Sequence, residues 1–188
     1  MDMLNNIEIW LERLSSLYIS QMRQAASEQG VQLVNLEILQ YLSICNDYSN
    51  TAQAISDYLG QTKGSISQTL KIMEQSGHIE RRPCTKDKRV IRLFLTKKGQ
   101  DSLQKMSQQM VQIPDDDPEL VAGLKKVLRT WQLSHHNSGF GQCLSCKYHQ
   151  KAGNQQFKCD LTGEYLPHQD KFKICREHEF ENPTKSRD

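Results

Sequence analysis

Two short helical patterns stand almost end to end in the middle of this chain, and that spacing leaves few folds open. Thr51-Ala-Gln-Ala-Ile-Ser-Asp-Tyr-Leu59-Gly60 reads as a short helix closed by a C-terminal glycine, and another helix starts within two or three residues, at Thr62 or Lys63. Helices joined so tightly form a helix-turn-helix. In the second, Ile66, Leu70 and Met73 make the buried stripe and Gly77 closes the helix. Projection at about 100° per residue places Gly64, Gln68, Lys71 and Gln75 on the opposite face, with Ser65 and Ser67 beside it. That face is polar and cationic.

A hairpin follows directly. Ile79-Glu-Arg-Arg-Pro83 and Val90-Ile-Arg-Leu-Phe-Leu-Thr96 flank a polar loop, Cys84-Thr-Lys-Asp-Lys-Arg89, and Ile91, Leu93 and Leu95 alternate with Arg92 and Phe94. Outside this unit the pattern is helical. Ile7, Trp10, Leu11, Leu14 and Tyr18 predict a long amphipathic helix over about 3–27, ended by Gly30, and Leu36, Leu39 and Leu42 a second one from Leu36 to Cys45 with Asn35 as its cap. Cys45 fits there as a small core residue. Thr96 caps a helix carrying Leu103, Met106 and Met110, which ends before Pro114. Asp117 and Pro118 open a last one with Leu120, Leu124, Val127, Leu128 and Trp131 on its stripe.

Charge separates these segments. The chain of 188 residues carries a net +2, but residues 61–99 hold 10 basic and 3 acidic side chains, whereas residues 1–60 hold 2 and 7. A basic block beside an acidic one suits a polyanion-facing surface with the rest of the molecule turned away, although such a block can also be an ordinary solvated face. No apolar run approaches the roughly 18 residues of a membrane span, which argues against an integral membrane protein. The N-terminus lacks the basic start and cleavage site of a signal peptide, so a cytoplasmic location is expected.

Taken with this order of elements, Leu59-Gly-Gln-Thr-Lys-Gly-Ser-Ile-Ser-Gln-Thr-Leu70, Gly77-His-Ile-Glu-Arg-Arg-Pro83, Asp87-Lys-Arg89 and Leu95-Thr-Lys-Lys-Gly99 resemble the MarR family of regulators over about residues 3–134. The resemblance implies a mainly α, winged helix-turn-helix fold with a small antiparallel β-wing, and a homodimer built by the N- and C-terminal helices. It also implies a DNA-binding transcriptional regulator, with repression the expected mode, acting on a double-stranded operator. Gln68 is the expected base reader. Lys63, Ser65, Ser67 and Lys71 are expected to meet phosphate or make mixed contacts, Thr62 opens the helix and is counted with the DNA-binding residues, and Gly64 permits close approach of the backbone. Lys86, Lys88 and Arg89 at the wing tip suit the adjacent minor groove, and an aspartate like Asp87 braces the wing arginine in the family. Each has a plain alternative: Gln68 as an ordinary exposed residue, Arg81 and Arg82 as solvated strand residues, His78 as a cap or surface residue. Cys84 in its basic loop is more simply inert than redox-active, even with a lowered thiol pKa.

The C-terminus departs from the family pattern. After a polar connection over 135–142, Cys143-Leu-Ser-Cys146 is followed after 12 residues by Cys159 and after 15 more by Cys175. Four clustered thiols in a reducing compartment point to a metal module over 143–180, with too few large apolar residues for a core of its own. The second half lacks the matching C-x2-C pair of a zinc ribbon, which makes the spacing less decisive; Zn2+ is the first expectation, an iron–sulfur cluster the second, and reduced or redox-active thiols the third. Lys147, Lys158, Lys173 and Arg176 would offset the charge of four thiolates, and His149 or His178 could replace one cysteine. Typical relatives answer a small phenolic or lipophilic ligand; here a metal or redox effector acting through dimer geometry is expected, since the module follows the last dimerisation helix. The competing readings are a thiol redox protein using Cys143 and Cys146, for which the βαβ setting is missing, and an interaction adaptor with a degenerate winged helix. No catalytic constellation is present, so an enzyme is not expected.

Overall fold

The computed structural model describes residues 6–111, 117–134, 139–153 and 155–180. The order is α1 (Ile7–Glu28), α2 (Leu33–Ile44), α3 (Ala52–Leu59), α4 (Lys63–Gln75), β1 (Ile79–Pro83), β2 (Ile91–Leu95), α5 (Lys97–Gln109) and α6 (Pro118–Ser134). The C-terminal segment adds β3 (Gly141–Gln142), β4 (His149–Lys151), β5 (Gln156–Cys159), β6 (Glu164–Pro167) and β7 (Ile174–Cys175).

Short-range hydrogen bonds set the helix ends. Thr51, Thr62 and Thr96 stand at the N-caps of α3, α4 and α5 and accept from the backbone N–H of Ala54, Ser65 and Gly99. Asp117 Oδ1 accepts from Glu119 N and Leu120 N, both at 3.0 Å, at the start of α6. Gly60 ends α3 with φ 63°, a left-handed conformation that glycine adopts without a side-chain clash. Thr51→Ala is expected to cost about 1 kcal/mol, read as a lower melting temperature, because the Ala54 N–H loses its partner.

Two expectations shift. The second helix begins at Leu33, not Leu36, with Gln32 at the cap and no side-chain cap bond, so Asn35 lies inside the first turn. Val31, Leu33 and Val34 pack against the core there, and that burial carries the helix back past Asn35. The first helix starts at Ile7 behind Asn6, whose side chain accepts from Glu8 N; Leu4 lies outside the described residues, as do Asp115 and Asp116.

The core joins α1 (Met22, Ala25, Ala26), α2 (Leu36, Ile38, Leu39, Tyr41), α3 (Ala54, Ile55), α4 (Ile66, Leu70, Met73) and the strands (Ile79, Leu93). β1 and β2 pair antiparallel with Ile79 opposite Leu95 and Pro83 opposite Ile91. At Gly99 a Cβ would sit 2.3 Å from the His78 carbonyl oxygen, so only glycine lets α5 approach the end of the recognition unit this closely. No helix among the described residues is long and apolar enough to cross a membrane.

The segment expected as connection is partly structural. Residues 135–138 lie outside the described residues, but Phe140 packs edge-on to Tyr41 and Tyr58, with ring centroids 6.2 and 5.1 Å away, and Gly141–Gln142 pairs with Ile174–Cys175. β4, β5 and β6 form a three-stranded antiparallel sheet. Phe140, an aromatic side chain in a polar stretch, anchors this C-terminal unit on the helical core.

Candidate nucleic-acid interface and thiol cluster

The outward side of α4 is built as its periodicity predicts. Ile66, Leu70 and Met73 are buried, while Lys63, Gly64, Ser65, Ser67, Gln68 and Lys71 are exposed, and Thr62 is spent on the cap. The wing supplies the second element. Arg89 extends into solvent with 90 % of its side chain exposed, yet Nε and Nη2 reach the two Asp87 carboxylate oxygens at 3.0 Å each. Asp87 Oδ1 also accepts from Arg89 N at 3.0 Å, and the arginine holds the Asp87 carboxyl below its usual range. A surface ion pair between neighbours stabilises little, so the effect of this fork is to fix where the guanidinium points.

The other basic residues sort differently. Arg81 pairs with Glu74 at 2.9 Å, which ties the wing to α4, and Arg82 pairs with Glu80 and lies 4.9 Å over the Phe94 ring, within the wing. Lys88 is exposed, whereas Lys86 is ion-paired with Glu164 of β6. His78 is buried rather than superficial, with Nδ1 2.8 Å from Ser76 Oγ. Cys84 has its pKa lowered by backbone N–H groups of Asp87 and Lys86 and by Arg92. An open cleft of about 930 Å3 lies between the α1–α2 corner, α4 and α5, lined by Gln29, Gln32, Asn35, Ile72 and Lys105 among others.

Residues 29–90 match the MarR family model. The transcriptional regulator BldR from Sulfolobus solfataricus superimposes with a TM-score of 0.52 at 18 % identity, over 69 % of this chain and 99 % of its own. AbsC, a MarR family regulator from Streptomyces coelicolor, gives 0.52 at 20 % identity, over 69 % and 93 %. The regulator MarR from Oenococcus oeni PSU-1 gives 0.51 at 20 %, over 67 % and 98 %. The chain has the MarR winged-helix fold. No curated protein matches it. These structures are matched almost end to end while about a third of the present chain lies outside each match.

Beyond the MarR fold, all four C-terminal cysteines line one small cavity of about 60 Å3, shared with Asn46, Tyr148, His149 and Phe157. Each closes a reverse turn. The Cys143 carbonyl accepts from Cys146 N at 3.1 Å, Cys146 from His149 N at 3.0 Å, Cys159 from Gly163 N at 2.7 Å and Cys175 from His178 N at 3.3 Å. Backbone N–H groups also reach the sulfurs: those of Tyr148 and Glu179 bond Cys146, and that of Glu177 bonds Cys175. Such N–H···S bonds favour the thiolate, the form that binds metal.

The thiols are unequal. Burial raises Cys146 above the ordinary thiol range despite those bonds. The Cys143 thiol donates to Cys175, which holds Cys175 low while that bond and burial suppress ionisation of Cys143. Among the described residues no group of three or more His, Cys, Asp or Glu has the geometry to hold a metal ion. The donor set nevertheless suits a thiophilic ion, since four sulfurs face one cavity with N–H donors behind two of them.

His178 is fully buried, with Nε2 3.0 Å from Ser145 Oγ, its ring against Gly141 and a buried Nδ1 that has no hydrogen-bond partner; it is not among the residues lining the thiol cavity. His149 lines the cavity, stacks on Phe157 at 4.6 Å, and leaves a buried Nδ1 without a hydrogen-bond partner. Lys147, Lys158, Lys173 and Arg176 are each engaged by a carboxylate, Glu179, Asp160, Asp170 and Asp57 respectively, so they are not free counter-charges for the thiolates. The sequence reading missed Asn46, Ser49 and Asn50, polar loop residues that are buried here. The short Asn46-to-Asn50 stretch looks like any solvated turn until its partner segment is in place.

Proposed function

We propose that this chain is a homodimeric, sequence-specific DNA-binding regulator whose C-terminal thiol set holds a metal centre, and that it is not an enzyme. The observation that carries the reading is an α4 with a wholly exposed polar face, next to a hairpin whose tip arginine is both 90 % exposed and fixed by Asp87. A major groove of about 12 Å admits one helix, and a glutamine such as Gln68 can bond adenine through its amide while Lys63, Ser65, Ser67 and Lys71 meet phosphate. An arginine held extended suits a narrow minor groove, where negative potential is concentrated.

Dimerisation rests on exposed apolar surface. Trp10, Leu14 and Leu17 of α1 and Leu120, Leu124, Leu128 and Trp131 of α6 are exposed, and no residue of α6 is buried in the single chain. A second copy is the occupant that closes such stripes symmetrically. Zinc is the first candidate for Cys143, Cys146, Cys159 and Cys175, with an iron–sulfur cluster as the alternative, and His149 is the neighbouring nitrogen. Bound there, either centre would join four turns that lack a sizeable core. A cytoplasmic location and a small-molecule effector in the open cleft belong to the same reading.

The test is selection of duplexes from a random-sequence library with protein purified without air, followed by anisotropy titration at several salt concentrations. Affinity is expected to fall steeply with salt, with a log–log slope of about −0.9 per phosphate contacted. Gln68→Ala is expected to cost about 1–3 kcal/mol of discrimination at a single base position. Sedimentation is expected to give twice the 21.7 kDa chain mass. No enriched duplex at low salt, or a monomer, would overturn the reading. Metal analysis and an absorption spectrum separate a colourless zinc site from a brown cluster.

A further inference from the structure

The segment that carries Cys175 is bonded to the α2–α3 loop on both sides of the cysteine. The Ile174 carbonyl accepts from Asn46 N at 2.9 Å, and Arg176 N donates to Ser49 Oγ at 2.8 Å. Ser49 Oγ in turn donates to Asn46 Oδ1 at 2.7 Å, and Asn46 Nδ2 points at Cys143 Sγ at 3.7 Å. Asn46, Ser49 and Asn50 are all buried, with Ser49 at 0 % exposure, so this loop has exchanged water for the thiol unit.

The same five-residue loop supports the reading head. Leu93 N of β2 donates to the Asn50 carbonyl at 2.8 Å, and Arg92 Nη1 donates to the Tyr48 carbonyl at 2.7 Å. Tyr41 of α2 donates its hydroxyl to the Ser49 carbonyl at 2.9 Å. Two direct ties run beside the loop. Arg176 Nη2 pairs with Asp57 of α3 at 2.8 Å, and Glu164 of β6 takes both the Tyr48 hydroxyl and Lys86 of the wing. The last helix is touched as well, by Gln132 Nε2 at 3.1 Å from the Gly139 carbonyl and by Arg129 4.7 Å over Phe180.

We propose that the four-thiol centre regulates DNA binding through the α2–α3 loop and the wing: a thiophilic metal at Cys143, Cys146, Cys159 and Cys175 fixes Ile174–Arg176 and Glu164, these fix Asn46–Asn50 and Lys86, and loss of the metal loosens the wing and weakens DNA binding. The inference rests on the DNA and metal readings above and adds a route between them, which runs to the reading head. Coupling between two binding sites is reciprocal, so bound DNA must tighten metal retention by the same factor by which metal tightens DNA.

The experiment uses the full chain loaded with zinc and the same chain stripped by a chelator, with a duplex selected by the loaded protein. Stripping is expected to weaken DNA binding about tenfold, within the usual range for coupled sites, and the duplex is expected to lower the zinc dissociation constant about tenfold in competition with a chromophoric chelator. Hydrogen exchange is expected to quicken in residues 46–50 and 79–95 on stripping, with α1 and the buried face of α2 unchanged. Equal DNA affinity of loaded and stripped protein, or unchanged exchange in those two segments, overturns the coupling while leaving both binding readings intact. Exchange that quickens throughout the chain overturns it in favour of a metal that staples the whole fold. Failure to take up zinc or any iron–sulfur centre removes the metal reading, and failure of the loaded protein to select a duplex removes the DNA reading.

Discussion

Cys146→Ser is expected to abolish metal retention and unfold the C-terminal unit while the winged helix stays folded. Cys146 lines the cavity with the other three cysteines, receives N–H donors from Tyr148 and Glu179 and closes the turn to His149. A serine hydroxyl keeps the turn but does not ionise as a thiolate does, so one of four soft ligands is lost. Structural zinc binds thiol peptides with apparent energies of about 10–16 kcal/mol near neutral pH, and that energy is folding energy for a unit this small. The buried apolar side chain of the C-terminal sheet is Phe157, and Phe140 is the anchor onto the core, so little else would hold the unit together. The core from Met22 to Met106 draws on α1 to α5 and the wing strands, and none of it lies in the thiol unit. Metal content should fall from one centre per chain to near none, and exchange protection of β4 to β6 should vanish. Retained metal together with an unaltered melting profile would refute the assignment.

Arg89→Ala is expected to weaken duplex binding by about 30–100-fold, the 2–3 kcal/mol scale of a charge-assisted hydrogen bond, with no measurable change in melting temperature or dimer mass. The stability half follows from exposure: at 90 % exposed, the side chain buries almost nothing, and its ion pair with Asp87 is a solvated neighbour contact. The affinity half follows from preorganisation. Asp87 holds the guanidinium by two parallel bonds and also accepts from the Arg89 backbone N–H, so less side-chain entropy is lost when it enters a groove. Asp87→Ala should therefore weaken binding less than Arg89→Ala does. Arg89→Lys should not rescue, because an ammonium cannot take the forked bond. Anisotropy titration at fixed salt decides this, and binding unchanged by Arg89→Ala would remove the wing from the interface.

The residues that were legible in advance act over three or four positions along the chain. Thr51, Thr62, Thr96 and Asp117 mark helix starts because each cap bonds an N–H two or three residues ahead, and the alternation from Ile91 to Leu95 marks a strand for an equally local reason. Asn35 shows where that reasoning stops. A good capping residue was overridden by Val31, Leu33 and Val34, whose burial depends on distant helices. Lys86 shows the same limit at the interface: its charge was plain, but its pairing with Glu164, 78 positions away, was not.

Helix caps, the hairpin with its Asp87–Arg89 tip, the polar face of α4 and the grouping of four cysteines were thus determined by the amino-acid sequence itself, since each depends on spacing along one short stretch. Only the tertiary structure decided where the thiol unit docks, that Asn46, Ser49 and Asn50 are buried beneath it, and that Arg176 pairs with Asp57 and Glu164 with Lys86. The physical reason is that the docking contacts join residues far apart along the chain, 78 positions between Lys86 and Glu164 and 127 between Ser49 and Arg176. Their partners are selected by the shape of the folded core and leave no periodic trace along the chain.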